Sequence, residues 1–373
     1  MLQKIKSFVK KEVVLCVSAL CAIVTMFFVA PDKEYIGYID FRVLCLLMCL
    51  MAVVAGFKSV GVFRWFTYQI LHRVNSGRVL GIALVMMTFF SSMLVTNDVA
   101  LLVFIPFTVA LLTQLGTEKS VIPIIVLQTV AANLGSMATP IGNPQNLFLY
   151  SAYNLSAGDF FSVTLPLTAV SLAVLLIAAL PVLPKALPEQ HYNTEKIDSR
   201  KNLIVYSILF ILCLLTVFKV VPYLLTTAII MSVLLFTDRR LFKEIDFMLL
   251  VTFICFFIVS GNLGRIDSIK LFLQNLLSSN TLFTSVATSQ IISNVPAAVL
   301  LSGFTDDWRN LLSGVNIGGL GTPIASLASL ITIKLYLKTP DAKISKFLLV
   351  FLAANIAGLI ILSGFEALIG QLI

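Results

Sequence analysis

The most constraining feature of this sequence is an apolar segment that three polar residues interrupt near its middle. The segment SSMLVTNDVALLVFIPFT, residues 91–108, carries Thr96, Asn97 and Asp98 between two apolar stretches. A carboxylate inside a segment apolar enough to enter a membrane is costly unless it faces a polar cavity or a partner. These three residues are therefore predicted to belong to a functional site.

The same interruption occurs a second time, 197 positions further along the chain. The segment TSQIISNVPAAVLL, residues 288–301, carries a Ser-Asn pair in its middle, so that Thr96 matches Ser293 and Asn97 matches Asn294. Two interrupted apolar segments, one in each half of the chain, are typical of transporters that are built from an internal repeat.

A pair of segments broken by glycine and proline follows the interrupted segments in the same order. They are AANLGSMATPIGNPQNLFLY, residues 131–150, and GVNIGGLGTPIASLASLITI, residues 314–333. Glycine permits unusual dihedral angles and proline lacks the N–H donor, so both interrupt a helix. At an offset of 183 positions the residues match in pairs: Asn133 and Asn316, Gly135 and Gly318, Thr139 and Thr322, Asn143 and Ser326, Asn146 and Ser329. The sequence therefore predicts one binding site where the breaks meet.

The composition predicts a polytopic membrane protein in contact with the lipid bilayer. Hydrophobic residues make up 59% of the chain and charged residues 12%, against roughly 45–50% and 25% in soluble domains. The basic residues behind the net charge of +8 lie between the apolar segments, which favours a role in membrane topology over nucleic-acid binding. His72 and His191 lie in polar connecting segments, so a histidine-based metal or catalytic site is not expected.

The order of the segments predicts an all-α fold of two inverted-topology repeats with about nine full spans and two re-entrant hairpins. The 26 Lys and Arg residues predict a cytoplasmic N-terminus and an external C-terminus in the cell inner membrane. The first repeat is residues 1–184 (hairpin 79–115, broken helix 121–150), residues 185–220 are a linker and a connecting span, and the second repeat is residues 221–373 (hairpin 281–304, broken helix 310–336). The basic N-terminal residues are expected to precede a retained first span, and Glu366 to extend to the membrane interface.

Broken helices expose backbone groups that can line a polar cavity in a membrane. The N-terminal ends of half-helices attract anions, whereas freed carbonyl oxygens attract Na⁺. Na⁺ is accordingly predicted at Asn97, Asn294 and adjacent backbone carbonyls. The residues predicted to bind substrate or ion are Thr96, Asn97, Asp98, Asn133, Thr139, Gly142, Asn143, Asn146, Ser293, Asn294, Asn316, Gly318, Thr322 and Ser326. For each residue alone, the alternative is helix packing or a hydrogen bond between helices.

Asp98 breaks the symmetry between the two halves, because Val295 stands at the equivalent position. Two interpretations follow from the sequence. Asp98 acts as a proton carrier or as part of a cation site, or its carboxylate caps the helix that follows it.

The motifs TNDVALLVFIPF, SNVPAAVLL and GTPIASLASLI resemble the ion transporter superfamily, which includes arsenite permeases, D-type sodium/proton antiporters and divalent-anion/sodium symporters. The arsenite-permease-like branch is the most similar in motif, although Ala325 stands where that branch has glycine. The resemblance covers essentially the whole chain. It implies inverted repeats with re-entrant hairpins, elevator-type alternating access and a homodimer.

These observations predict a secondary active transporter for a small inorganic oxyanion or a carboxylate. Because no GxxxxGK[ST] motif is present, coupling to H⁺ or Na⁺ is expected rather than coupling to ATP, and no cofactor is expected. A Na⁺/H⁺ antiporter that uses Asp98 is the first alternative, and a passive anion channel is the second. An intramembrane enzyme is disfavoured, since no nucleophile and base can be paired.

Overall fold

The computed structural model describes residues 12–71, 74, 76–182, 196–339 and 342–370. Within these ranges the chain is helical, with no β-strand. The basic N-terminal residues 1–11 and most of the predicted linker, residues 183–195, lie outside the described residues.

The first half of the chain contains nine α-helices within the described residues. They are α1 (Val13–Phe28), α2 (Glu34–Tyr38), α3 (Phe41–Ser59), α4 (Val62–Leu71), α5 (Gly77–Val95), α6 (Asn97–Gln114), α7 (Val121–Ser136), α8 (Pro144–Ala152) and α9 (Ala157–Ala179). A short 3₁₀ helix, Glu118–Ser120, leads into α7.

The second half contains nine further helices within the described residues. They are α10 (Arg200–Val217), α11 (Tyr223–Thr237), α12 (Phe247–Gly264), α13 (Asp267–Ser279), α14 (Thr281–Ile292), α15 (Asn294–Ser302), α16 (Trp308–Ile317), α17 (Leu327–Tyr336) and α18 (Ile344–Gly370). The 3₁₀ helix Arg239–Glu244 precedes α12.

Eight helical segments of the described chain are long and apolar enough to cross a membrane. They include both limbs of the first predicted hairpin, α5 and α6, and the long helix α18. The limbs of the second predicted hairpin are shorter, since α14 has 12 residues and α15 has 9. Several helices present large apolar side chains outward; Phe27 and Phe236 are 85% and 82% exposed. A multi-pass membrane protein accounts for these outward apolar faces.

The two largest hydrophobic cores of the described residues hold most of the helices together, and each takes helices from both halves of the chain. One core joins α3 and α8 to α10, α11, α12, α15 and α16. The other joins α5, α6, α7 and α9 to α14, α17 and α18. The breaks at residues 137–143 and 318–326 therefore lie between helices that are fixed on several sides.

Small residues allow the closest helix contacts, as is usual in membranes. At Gly135 on α7, a Cβ atom would overlap the backbone carbonyl oxygen of Phe89 on α5. At Gly318, which matches Gly135 in the sequence repeat, a Cβ atom would come within 2.7 Å of Ser289 on α14. Ser289 in turn matches Ser92 on α5, which also crowds Gly135. The same glycine contact thus holds a hairpin limb against a broken helix in each half.

We predict that Gly135→Ala lowers the stability of the protein by about 3 kcal/mol, the upper end of the usual overpacking cost, because the overlapping atom belongs to the backbone. The measurement is the apparent melting temperature of the detergent-solubilised protein. Gly364→Ala is the matched control, since this glycine on α18 has no atom within 4 Å of an added Cβ. Equal melting temperatures for the two variants would contradict the prediction.

Candidate functional site

Each predicted hairpin turns at a single residue with an unusual backbone conformation. Thr96 joins α5 to α6 with φ 76° and ψ 150°, and Ser293 joins α14 to α15 with φ 75° and ψ 152°. Positive φ values are uncommon for residues other than glycine, and such a conformation costs about 1–3 kcal/mol. The two tips have nearly the same dihedral angles although their sequences differ, so the surroundings must impose this conformation.

Hydrogen bonds to the broken helix of the same half hold each tip in place. The backbone N–H of Asn97 donates to the carbonyl oxygen of Gly142 at 3.1 Å, and that of Asn294 donates to the carbonyl oxygen of Ala325 at 2.9 Å. The donors are 197 residues apart and the acceptors 183, which are the two offsets of the sequence repeat. The structure thus forms the same bond twice.

A hydroxyl contact behind each tip repeats in the same way. The Thr139 hydroxyl donates to the carbonyl oxygen of Met93 on α5, and the Thr322 hydroxyl donates to that of Gln290 on α14 at 3.1 Å. These contacts satisfy carbonyl groups at the C-terminal ends of the first limbs, where the helix itself supplies no donor.

The second part of each broken helix begins with a capping side chain. The side chain of Asn143 accepts a hydrogen bond from the N–H of Asn146 at the start of α8, at 2.9 Å. The Ser326 hydroxyl accepts one from the N–H of Ala328 at the start of α17, at 3.2 Å. Asparagine and serine are preferred at this position because they satisfy an unpaired N–H group. Pro144 at the first position of α8 loses no hydrogen bond there.

The two capping side chains also cross between the halves of the chain. Asn143 Nδ2 donates to Oδ1 of Asn316 on α16 at 3.2 Å, and Ser326 Oγ donates to Oδ1 of Asn133 on α7 at 2.9 Å. Asn143 matches Ser326 and Asn133 matches Asn316 in the repeat, so the two bonds are equivalent. Each half therefore supplies a hydrogen-bond donor to the matched asparagine, Asn133 or Asn316, of the other half.

Two further bonds extend this set. Asn97 Nδ2 donates to Asn133 Oδ1 at 3.3 Å, and Asn316 Nδ2 donates to Asn146 Oδ1 at 2.7 Å. We call the resulting group the asparagine network; it consists of Asn97, Asn133, Asn143, Asn146, Asn316 and Ser326. All six side chains are no more than 5% exposed. A buried polar cluster of this kind is stable only when its members are hydrogen-bonded.

The other predicted site residues lie around the network, and several contribute backbone atoms. Gly142 supplies a carbonyl oxygen to the first tip, and Gly318 supplies one to Gln290. Ser293 Oγ donates to the carbonyl oxygen of Ala325 at 3.3 Å. A Cβ atom added to Gly319 would come within 2.7 Å of Asn294 Nδ2. The side chain of Asn294 therefore packs closely against Gly319. The second tip therefore meets backbone atoms where the first tip meets Asn133.

Asp98 faces a different space from the network. It lines a cavity of about 280 Å³ together with Thr96, Lys58, Glu244 and Asp246. Its carboxylate Oδ1 is buried and has no hydrogen-bond partner among the described residues. Its backbone N–H donates to Oδ1 of its neighbour Asn97 at 2.9 Å. The carboxylate is thus available to a cation or a proton that enters this cavity.

Two important polar residues were not predicted from the sequence. Gln290 on α14 donates to the carbonyl oxygens of Gly318 and Leu320, both at 2.9 Å, and accepts from the N–H of Thr322. Ser136 accepts a hydrogen bond from Asn143 at 3.1 Å. Their repeat equivalents are Met93 and Gly319, so a comparison of the halves hides them. The usable signal was a glutamine one turn before the second interruption, inside an apolar segment.

The carboxylate of Glu366 accepts a hydrogen bond of 2.6 Å from the Ser313 hydroxyl on α16. Its extension to the membrane interface stays a prediction. Ser313 is buried, with 1% of its surface exposed. Glu366 therefore links α18 to the helix that carries Asn316.

The fold and the site define a multi-pass helical membrane protein with an enclosed polar centre. Comparison with known proteins gives the class. The chain matches the family described as citrate transporter (CitMHS) over residues 3–305. The chain therefore belongs to the citrate transporter family and is a membrane transporter rather than an enzyme.

Curated relatives agree with this assignment. An uncharacterised transporter, MJ0456, of Methanocaldococcus jannaschii is 35% identical over 85% of this chain and 86% of that protein. The inner membrane protein YbiR of Escherichia coli is 29% identical over 81% of this chain and 82% of that protein. The silicon efflux transporter LSI3 of rice (Oryza sativa subsp. japonica) is 28% identical over 47% of this chain and 36% of that protein. The resemblance to the ion transporter superfamily is thereby confirmed.

We predict that Asn143→Ala and Asn316→Ala destabilise the protein non-additively, with a coupling energy of about 1 kcal/mol. Either variant alone removes the hydrogen bond from Asn143 Nδ2 to Asn316 Oδ1. The measurement is a double-mutant cycle on thermal stability in detergent. Asn316→Ala combined with Asn262→Ala is the control, since Asn262 on α12 donates to Thr25 on α1 and shares no partner with the network. Additive effects in the test cycle would contradict a direct contact.

Proposed function

We propose that this protein is a secondary active transporter that moves a small anion across the cytoplasmic membrane by elevator-type alternating access, coupled to Na⁺ or H⁺. The observation that carries the proposal is the asparagine network, in which two equivalent hydrogen bonds, from Asn143 to Asn316 and from Ser326 to Asn133, join the halves. In this proposal the two repeats have opposite orientation and the network marks the substrate and ion site between them.

The chemistry of the site supports an anion that travels with a cation. Four helices begin at the tips and breaks, namely α6 and α15 at the tips and α8 and α17 at the breaks, and helix N-termini attract anions. The asparagine network itself is neutral, since its members are amides and one hydroxyl. These groups do not neutralise the negative charge of a bound anion. A co-bound Na⁺ or H⁺ would do so. Amide and carbonyl oxygens of the network are suitable Na⁺ ligands.

Two unpaired polar atoms beside the network support a ligand at this place. Gln145 Oε1 in the first turn of α8 and Ser329 Oγ in the first turn of α17 are buried and have no hydrogen-bond partner in the part of the chain that the structure describes. Buried polar atoms without a partner are rare and call for an explanation. A bound anion or ion between the two helix starts would supply the missing contacts.

The burial of the network favours alternating access over a passive channel. Its side chains are at most 5% exposed, so an ion reaches them only after groups around them move. Thr96 and Ser293 have a backbone conformation that is unfavourable for their residue types and that neighbouring segments hold in place. Strained backbone of this kind is typical of ligand-binding and switch regions. A channel would instead keep a continuous polar path.

The substrate class follows from the family. The family is described as citrate transporter, and one rice relative is named a silicon efflux transporter. The first description names a small carboxylate and the second an inorganic solute. We therefore propose a carboxylate or an inorganic oxyanion as the substrate of this protein.

A Na⁺/H⁺ antiporter is the second candidate function, and Asp98 is the observation that favours it. The carboxylate has an unpaired buried oxygen and shares its cavity with Glu244 and Asp246. Cation exchange at Asp98 needs no anion. Both candidates use the same fold, so flux measurements must distinguish them.

We predict that purified protein in proteoliposomes accumulates one of citrate, succinate, sulfate or arsenite against its gradient when a Na⁺ or pH gradient is imposed. Asn97→Ala should reduce uptake about tenfold or more, because it removes a side chain that bonds both Asn133 and the N–H of Asp98. Asn262→Ala is the matched control, a buried asparagine between α1 and α12 that should keep wild-type uptake. Downhill flux alone would contradict active transport.

We predict that Asp98→Asn removes the proton or cation dependence of flux while the protein keeps its fold, since the side chain retains its shape and loses only its charge. The measurement is flux against the imposed pH and Na⁺ gradients. Asp306→Asn is the control, because this carboxylate lies exposed in the segment before α16. Na⁺/H⁺ exchange without anion, lost in Asp98→Asn, would transfer the assignment to the antiporter. Unchanged coupling in Asp98→Asn would contradict any role of this carboxylate.

A further inference from the structure

A second charged cavity lies at one end of the helix bundle, away from the asparagine network. Its volume is about 500 Å³, which falls within the range of roughly 300–1,000 Å³ that is usual for ligand sites. The charged residues that line it are Lys119, Lys343, Lys346 and Glu118. We call it the lysine cavity. Among the described lining residues, positive charge therefore exceeds negative charge.

None of its three lysines forms an ion pair with a carboxylate of the described residues. The ion pairs among the described residues involve Arg64 and Arg265 instead. Lys343 immediately precedes α18, and Lys346 lies in its first turn. Cations are unfavourable at a helix N-terminus, where the backbone N–H groups already carry positive partial charge. The arrangement is stabilised if an anion occupies the cavity.

The walls of the lysine cavity combine this positive rim with an apolar floor. Val121, Ile122 and Tyr336 are buried lining residues. The ring of Tyr336 stacks on Phe347 at 4.7 Å, and its hydroxyl accepts a hydrogen bond from the N–H of Lys343 at 2.8 Å. The floor is therefore rigid and apolar, whereas the lysine side chains are exposed. An amphiphilic anion matches both surfaces better than a small hydrated one does.

The positive-inside rule explains why lysines lie on one side of a membrane protein, but it does not explain why these three surround one cavity. Lys334 and Lys338 belong to the same basic region and are exposed, yet neither lines the cavity. The cavity also joins separate parts of the chain, because its walls come from α6, α7, α17 and α18. An occupant would hold the ends of these helices together.

We propose that the lysine cavity binds a phosphate group, supplied by the head group of an anionic phospholipid, and that this binding stabilises the ends of α6, α7, α17 and α18 against one another. Free inorganic phosphate offers the same chemistry without the apolar part. The experiment therefore includes both sources.

The test uses the full-length protein in detergent. Retention of phosphatidylglycerol and of phosphatidylcholine is measured by native mass spectrometry, and the melting temperature is measured with each lipid and with inorganic phosphate. Lys343→Gln/Lys346→Gln is the test variant, and Lys334→Gln/Lys338→Gln is the charge-matched control. Since each lysine near a membrane surface contributes roughly fivefold to anionic-lipid affinity, the test variant should bind phosphatidylglycerol roughly 25-fold more weakly. The control should stay close to wild type.

Lys343→Arg/Lys346→Arg keeps the charge and should keep the binding, which separates loss of the site from loss of the fold. Equal losses in the test and control variants would overturn the proposal in favour of general surface charge. Equal retention of phosphatidylglycerol and phosphatidylcholine by wild type, with no stabilisation by phosphate, would overturn it as well. Stabilisation by inorganic phosphate alone, lost only in the test variant, would support the phosphate site and reject the lipid as its source.

Discussion

The backbone hydrogen bond from the residue after each tip to the break in the same half is the constraint on which the rest of the structure depends. In a bilayer no water satisfies a free N–H or C=O group, so a chain that stops its helix at Thr96 or Ser293 must find a partner nearby. The carbonyl oxygens of Gly142 and Ala325 are those partners. These carbonyl oxygens can accept the bonds because the helices are interrupted at these residues. The tips and the breaks therefore stabilise one another.

The two halves share this frame but not its chemistry. Gly142 cannot be larger, since a Cβ would overlap the carbonyl oxygen of Ser136, whereas its equivalent carries the side chain of Ala325. The limbs also differ, with 19 and 18 residues around Thr96 against 12 and 9 around Ser293. A helix of 9 residues is only about 14 Å long and does not cross the hydrocarbon core by itself. Function is thus expected to be asymmetric even where the backbone is repeated.

The sequence predicted the positions of the tips and breaks well, because polar and helix-breaking residues inside apolar segments have few structural explanations. The helix bounds fall close to the expected limits. Asparagines of the two halves meet at Asn143 and Asn316, whereas Asn294 lies outside the network. What the sequence could not supply was the crossed pairing of Asn143 with Asn316 and of Ser326 with Asn133. The repeat predicts which residues are equivalent and that the breaks meet, but not which side chains bond across the halves. Gln290 was missed because Met93 at the equivalent position hid its role. The contact of Glu366 with Ser313 was not predicted, because a position near a helix end says nothing about a neighbour from another helix.

Asn97 connects the asparagine network with the cavity that Asp98 lines. Its Nδ2 donates to Asn133 inside the asparagine network, and its Oδ1 accepts the N–H of Asp98, whose carboxylate faces a separate cavity. The neutral network and the acidic cavity are therefore one peptide unit apart. A proton or cation that changes the charge of Asp98 acts on the N-terminal turn of α6, and this turn is the one that the bond from Asn97 to Gly142 anchors. In low dielectric surroundings such a change is weakly screened. Under the proposed function, this shared residue is the shortest physical route by which a coupling ion at Asp98 affects the network.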